Sequence, residues 1–142
     1  MTDGMHEARA DGMREARANR MHEANGGSRR YAAGELGWFP HERLDVFHVA
    51  LEFAGWVHRV RRRIPRAGLR NQLADASESI VLNICEAASR SGGSRRNLYE
   101  TAYGSAAECH GAVRLCQLQG VPGADDALRL LDRIRRMLAR LQ

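Results

Sequence analysis

At 142 residues, 44% apolar and 27% charged, the chain has the length of one domain and enough apolar content to bury a core, which excludes wholesale disorder. Arginine supplies all 22 of its basic residues against 17 acids, a formal charge of +5, and the absence of lysine excludes a Walker-A phosphate loop and Schiff-base or pyridoxal chemistry. No apolar run approaches the ~18 residues of a membrane span and the N-terminus lacks a secretory pattern, so a cytoplasmic protein with no membrane partner is expected.

Residues 1–37 open with an octapeptide repeat: Met5-His-Glu-Ala-Arg-Ala-Asp-Gly, Met13-Arg-Glu-Ala-Arg-Ala-Asn-Arg and Met21-His-Glu-Ala-Asn-Gly-Gly-Ser. The repeat has no apolar face and is broken by glycines, and short isolated helices are marginal in water, so a disordered, low-complexity tail is predicted. Met5, Met13 and Met21 serve as well as Met1 for a start. Six arginines balance six acids in this tail, which leaves 16 arginines against 11 acids in residues 38–142. The basic character belongs to the second domain, 38–142.

Four helices follow. The first is predicted from His41 to Ile64, where Pro65 stops it. The second covers Leu69 to Ser89 and ends at Ser91-Gly92-Gly93; the third starts with Ser94 as N-cap and runs to Gln119, with Gly120 in the left-handed position after it. Pro122-Gly123 turn the chain, and Asp125 and Asp126 favour the N-terminus of a fourth helix reaching Gln142. Val46, Ala50, Phe53, Val57, Val60 and Ile64 are spaced 4,3,4,3,4, and Ala127, Leu131, Ile134, Leu138 and Leu141 are spaced 4,3,4,3, the seam spacing of packed helices. Short loops imply antiparallel neighbours. The predicted fold is all-α, an up-down-up-down antiparallel four-helix bundle.

Helix 1 carries a second apolar stripe, Leu44, Phe47, Leu51 and Ala54, broadened by Val49 and Trp56. A helix apolar around most of its circumference is buried on more than one side, so a homo-oligomer interface is expected at Leu44, Phe47, Leu51 and Trp56, the alternative being a broad flank of the core.

The stretches Gln72-Leu73, Ser79-Ile80, Asn83-Ile84-Cys85-Glu86-Ala87 and Ala102-Tyr103-Gly104-Ser105-Ala106-Ala107-Glu108, with Phe47, Ile64-Pro65 and Arg136-Met137-Leu138, resemble the four-helix-bundle proteins first met in intervening sequences of bacterial 23S ribosomal RNA genes. That group includes the accessory proteins of diversity-generating retroelements. The resemblance covers nearly all of residues 41 to 142. It implies a ring-like homo-oligomer, usually a pentamer, and in the retroelement branch a basic surface for nucleic acid and a reverse transcriptase partner. The chain departs from the pattern in two places: Ala87 replaces a glycine, and Ala74-Asp75-Ala76 replaces a segment that carries arginine.

Gln72, Ser79, Asn83 and Glu86 share one stripe of helix 2, and Thr101, Ser105 and Glu108 one of helix 3, with Gly104 placed to let the helices approach. Buried polar groups must be satisfied, so these are read as a structural network fixing register, the alternative being a polar site. No nucleophile with a base and an orienter is evident, so no enzyme and no cofactor is expected. Asp45 to His48 is the only acid-x-x-His spacing in the bundle, too little for a di-metal site. Cys85, Cys109 and Cys116 read as small core residues.

Arginine placement is the informative polar feature. Arg59, Arg61, Arg62, Arg63, Arg66 and Arg70 crowd one end of the predicted bundle; Arg90, Arg95, Arg96, Arg133, Arg136 and Arg140 gather at the other. Such clusters suit phosphates of RNA or DNA. They also suit helix C-terminal dipoles. The expectation is a non-enzymatic oligomer binding nucleic acid through its arginines, the alternative a protein-interaction scaffold with no nucleic-acid role.

Overall fold

The computed structural model describes residues 39–142, and the predicted tail, 1–37, lies outside the described residues. Leu44, extended at φ −95° and ψ 122°, divides what the sequence presents as one helix into a 3-10 turn, Pro40–Arg43, and helix α1, Asp45–Val60. A second 3-10 turn, Arg61–Arg63, closes α1. Pro65 forces its predecessor out of the helical region, and Ile64 is accordingly extended at φ −91° and ψ 111°.

Helix α2, Ala67–Ala88, begins as soon as the proline has passed, two residues earlier than predicted. Helix α3 is Gly92–Leu118: its N-cap is Ser91, in extended conformation and without a side-chain cap bond, so the assignment of that role to Ser94 is corrected. Gly120 does take the left-handed conformation after α3, at φ 73°. Helix α4, Ala124–Leu141, starts from Gly123, at φ 77°, with Asp125 and Asp126 in its first turn.

Each helix packs against two others in the cyclic order α1, α2, α3, α4, and the α2–α3 seam is the most extensive. Partners on α2 and α3 run in opposite directions: Gln72 meets Glu108, Ser79 meets Ser105, and Ala87 meets Arg95. Across α3 and α4, Gln117 meets Asp125, while Tyr103 and Arg135 share one groove. Across α1 and α4, Trp56 meets Pro122, while Val46 shares a crevice with Met137. The C-terminal end of α1 therefore lies with the start of α4, and the C-terminal end of α4 with the start of α1.

The core is built from the predicted seams. Val46, Ala50, Phe53, Val57, Val60 and Ile64 are all buried, as are Ala127, Leu131, Ile134 and Leu138. Leu141, the last member of the fourth seam, is 37% exposed because α4 ends there. Cys109 and Cys116 are fully buried, and Cys85 is half-buried.

The expectation that a single bundle leaves the second stripe of α1 in water does not hold. Phe47 and Trp56 are buried within the chain; Leu44 and Leu51 are half-buried against the core. His41, from the 3-10 turn before α1, sets its ring edge-on to Phe47 at 4.7 Å. Trp56 stacks on Phe53 at 6.0 Å, and its indole N–H donates to the Pro122 carbonyl at 3.0 Å. Two connecting segments thus fold over the ends of α1 and cover what four bare helices would expose. The proposed helix approach at Gly104 is also corrected: this residue is exposed, with nothing within 4 Å of where a Cβ would stand.

Candidate nucleic-acid interface

The first arginine cluster forms because Pro65 halts α1 and the 3-10 geometry before it fans consecutive side chains about 120° apart. Arg59, Arg61, Arg62, Arg63 and Arg66 are all exposed. No carboxylate among the described residues lies within ion-pair distance of these five. Arg70 belongs to the structure instead: it is half-buried, its Nη2 donates to the Pro65 carbonyl at 3.4 Å, and its Nε is buried without a partner.

At the other end the six predicted arginines divide. Arg90 pairs with Glu86 at 3.2 Å, and Arg136 bonds Asp132. Arg95 turns its Nε inward to the carbonyls of Arg90, at 2.8 Å, and Ala87, at 3.3 Å, and so closes the α2–α3 turn. Arg96, Arg133 and Arg140 are exposed and make no ion pair with a described residue. Arg43, which the sequence reading passed over, borders with Arg95 a recess of about 500 Å³ floored by Leu44, Ala88 and Tyr99.

The two ends are linked. Arg129, Arg133, Arg136 and Arg140 are spaced 4,3,4 and form one stripe along the outer face of α4. Arg129 belongs to neither predicted cluster, although its 4,3,4 spacing with the other three is plain in the sequence. Arg129 bonds Asp126, and Asp132 is shared by Arg135 and Arg136, which hold its carboxyl below the usual carboxylate range. One carboxylate between two guanidiniums leaves a positive remainder.

The polar constellation on α2 and α3 is largely a structural seam. Ser79 and Ser105 bond Oγ to Oγ at 2.8 Å, and Asn83 Nδ2 donates to the Ser79 carbonyl at 2.8 Å and Oγ at 3.0 Å. Gln72 donates to Glu108 at 3.0 Å nearer the surface. Glu86 stands apart, drawn to Arg90, and Thr101 bonds back to the Asn97 carbonyl. The thiols are poorly suited to nucleophilic work, since burial pushes Cys109 up to about 12 and raises Cys116 as well. Among the described residues no three of His, Cys, Asp and Glu gather into a metal-binding set. No helix among them is long and apolar enough to cross a membrane.

Fold and surface together define a small all-helical protein whose polar chemistry is concentrated in arginines. The model of the 23S rRNA-intervening sequence protein family matches residues 42–142, and the chain belongs to that family. Nothing among curated proteins and nothing among solved structures matches it.

Proposed function

We propose that the protein acts by binding rather than catalysis, holding the phosphate backbone of RNA or DNA against its arginines. The observation that supports this most directly is the sorting of those arginines. Arg90, Arg129, Arg135 and Arg136 are matched by carboxylates, whereas Arg59, Arg61, Arg62, Arg63, Arg66, Arg96, Arg133 and Arg140 stand exposed without ion pairs to described residues. Five of these eight fall in residues 59–66, where the end of α1 and the turn after it concentrate charge that a merely soluble surface would intersperse with acids. Guanidinium forks suit phosphate oxygens, and contacts of this kind position a backbone without reading its sequence.

Binding of mixed-sequence RNA and DNA oligonucleotides, followed by fluorescence anisotropy across a salt series, tests this. Affinity should fall with a log–log slope of roughly 0.7 to 0.9 per phosphate neutralised, and R61Q/R62Q/R63Q should flatten it by about two to three units. Undetectable binding of either nucleic acid at ~50 mM salt would refute the reading. The finer role, service to a reverse transcriptase as in the retroelement branch, rests on the family resemblance, and co-purification with such an enzyme encoded beside it is its test.

A further inference from the structure

At the end of the bundle away from the Arg59–Arg66 cluster, the 3-10 turn before α1 meets the end of α2, the start of α3 and the last turn of α4 around a recess of about 500 Å³. That volume lies within the range of small-molecule sites, about 300–1,000 Å³. Pro40, Leu44, Ala88 and Leu141 give it apolar walls, and Arg43, Arg95 and Tyr99 are its polar residues. No acid among the described residues lines it, so two guanidiniums border apolar surface with no carboxylate between them.

Tyr99 is the group that packing alone leaves unexplained. It is 3% exposed, yet its hydroxyl makes no hydrogen bond with a described residue and is not sealed from solvent, so the sliver of Tyr99 that reaches the recess includes the oxygen. Polar groups this deep are ordinarily paired. Burial raises the Tyr99 hydroxyl above its ordinary range, and the charge of Arg95, one turn earlier on α3, opposes that rise. Arg95 commits its Nε to the carbonyls of Ala87 and Arg90 and leaves both Nη groups without a partner among the described residues. Beyond Leu44 and Leu141 lies a second crevice, of about 200 Å³, walled by Val46 and Met137 and edged by the opposite charges of Asp45 and Arg140. Leu44, half-buried, and Leu141, 37% exposed, line both hollows, so an apolar chain can run over them from one to the other.

We infer that the recess binds a small organic anion with an unbranched apolar tail, a medium-chain aliphatic carboxylate, whose headgroup accepts hydrogen bonds from Tyr99 and Arg95 and whose tail crosses Leu44 and Leu141. The two arginines select the sign of the head, and the fork of Nη groups suits a planar carboxylate. The walls select the tail, since each methylene taken out of water there adds up to about fourfold in affinity. The small crevice beyond limits its length. This site owes nothing to nucleic acid and lies at the other end of the bundle from the Arg59–Arg66 cluster.

The test is isothermal titration calorimetry of the full-length protein with decanoate, beside acetate, decanol and decyltrimethylammonium, with melting temperatures taken in the same solutions. Decanoate should bind once per chain and raise the melting temperature, because a ligand of the folded state stabilises it by mass action. Acetate and decanol each carry half of the ligand and should bind at least about tenfold more weakly; the cation should not bind. Y99F removes only an oxygen from a ring that stays in the core. It should melt no lower than wild type, since the hydroxyl has no internal partner to lose, and should bind decanoate roughly tenfold more weakly. A88F fills the recess from a half-buried position and should abolish binding, with unchanged helical circular dichroism certifying its fold. Absence of saturable decanoate binding overturns the inference. Equal binding of the cation, which means mere apolar adhesion, overturns it too, as does equal binding of acetate, which means an anion site without a tail. Unchanged decanoate affinity in Y99F also overturns it, whatever A88F does. R61Q/R62Q/R63Q should bind decanoate as wild type does, which keeps this result separate from that of the phosphate-binding reading; a loss there would put the carboxylate at the wrong end of the bundle and overturn the inference.

Discussion

At the scale of single residues, two glycines with opposite surroundings make opposite predictions. Gly123 stands at φ 77°, and a Cβ there would come within 2.7 Å of the Trp56 indole nitrogen, so G123A meets both a left-handed backbone and the ring that seals the end of α1. It should cost roughly 2 kcal/mol or more, read from urea unfolding midpoints. Gly104 sits inside α3 with open space around it, and G104A should stabilise by about 0.5–1 kcal/mol through the smaller entropy of the unfolded chain. The cysteines supply a third residue-scale prediction. Cys109 and Cys116 are fully buried, so a thiol reagent at pH 8 should label Cys85 first and reach the other two only as the protein unfolds. The sign follows for alkali. A thiol raised from 9.0 to about 12 by folding contributes stability present below pH ~9 and lost as pH rises toward 12, and C109A should lessen that loss.

At the scale of elements, the α2–α3 seam combines an apolar row with a short polar one. Leu73, Ile80 and Ile84 are fully buried, and Ser79, Asn83 and Ser105 bond one another beside them. Removing a part-buried amide whose partners keep other bonds costs on the order of 1 kcal/mol, whereas truncating a buried leucine costs about 2–5 kcal/mol. N83A should therefore lower the urea midpoint modestly and L73A severely, with neither changing oligonucleotide affinity once folded. Loss of binding by folded N83A would turn the polar row from register device to site. The 3-10 turn after α1 is the complementary case: its three arginines bury nothing, so exchanging them should alter binding and leave the unfolding midpoint nearly in place.

At the scale of the whole molecule, residues 38–142 carry all of the +5 charge, and the exposed arginines repel one another across the turn after α1 and along α4. A multivalent anion that bridges several guanidiniums should stabilise the folded chain by mass action. Millimolar tripolyphosphate should raise the melting temperature by several degrees over chloride at equal ionic strength. R61Q/R62Q/R63Q should blunt that rise. Equal melting temperatures in the two salts would mean that the guanidiniums do not act together on one anion.

Helical identity was legible in the chain because it rests on local rules. The seam spacing of Val46 to Ile64, the stop at Pro65, the left-handed Gly120 and the acids opening α4 each depend on residues within a turn or two of one another. Membership of the Ser79–Asn83–Ser105 row was legible for the same reason, since one-face spacing on each helix nominates the residues that meet. The fate of the α1 stripe was not. Whether Phe47 and Trp56 face water depends on where His41 and Pro122 come to rest, and Pro122 is 66 residues away from Trp56 in the chain. The arginines divide along the same line. Sequence spacing delivered them to the ends and to one face of α4, but which of them remain available for a phosphate was decided by the folded positions of Glu86, Asp126 and Asp132, the carboxylates that neutralise the rest.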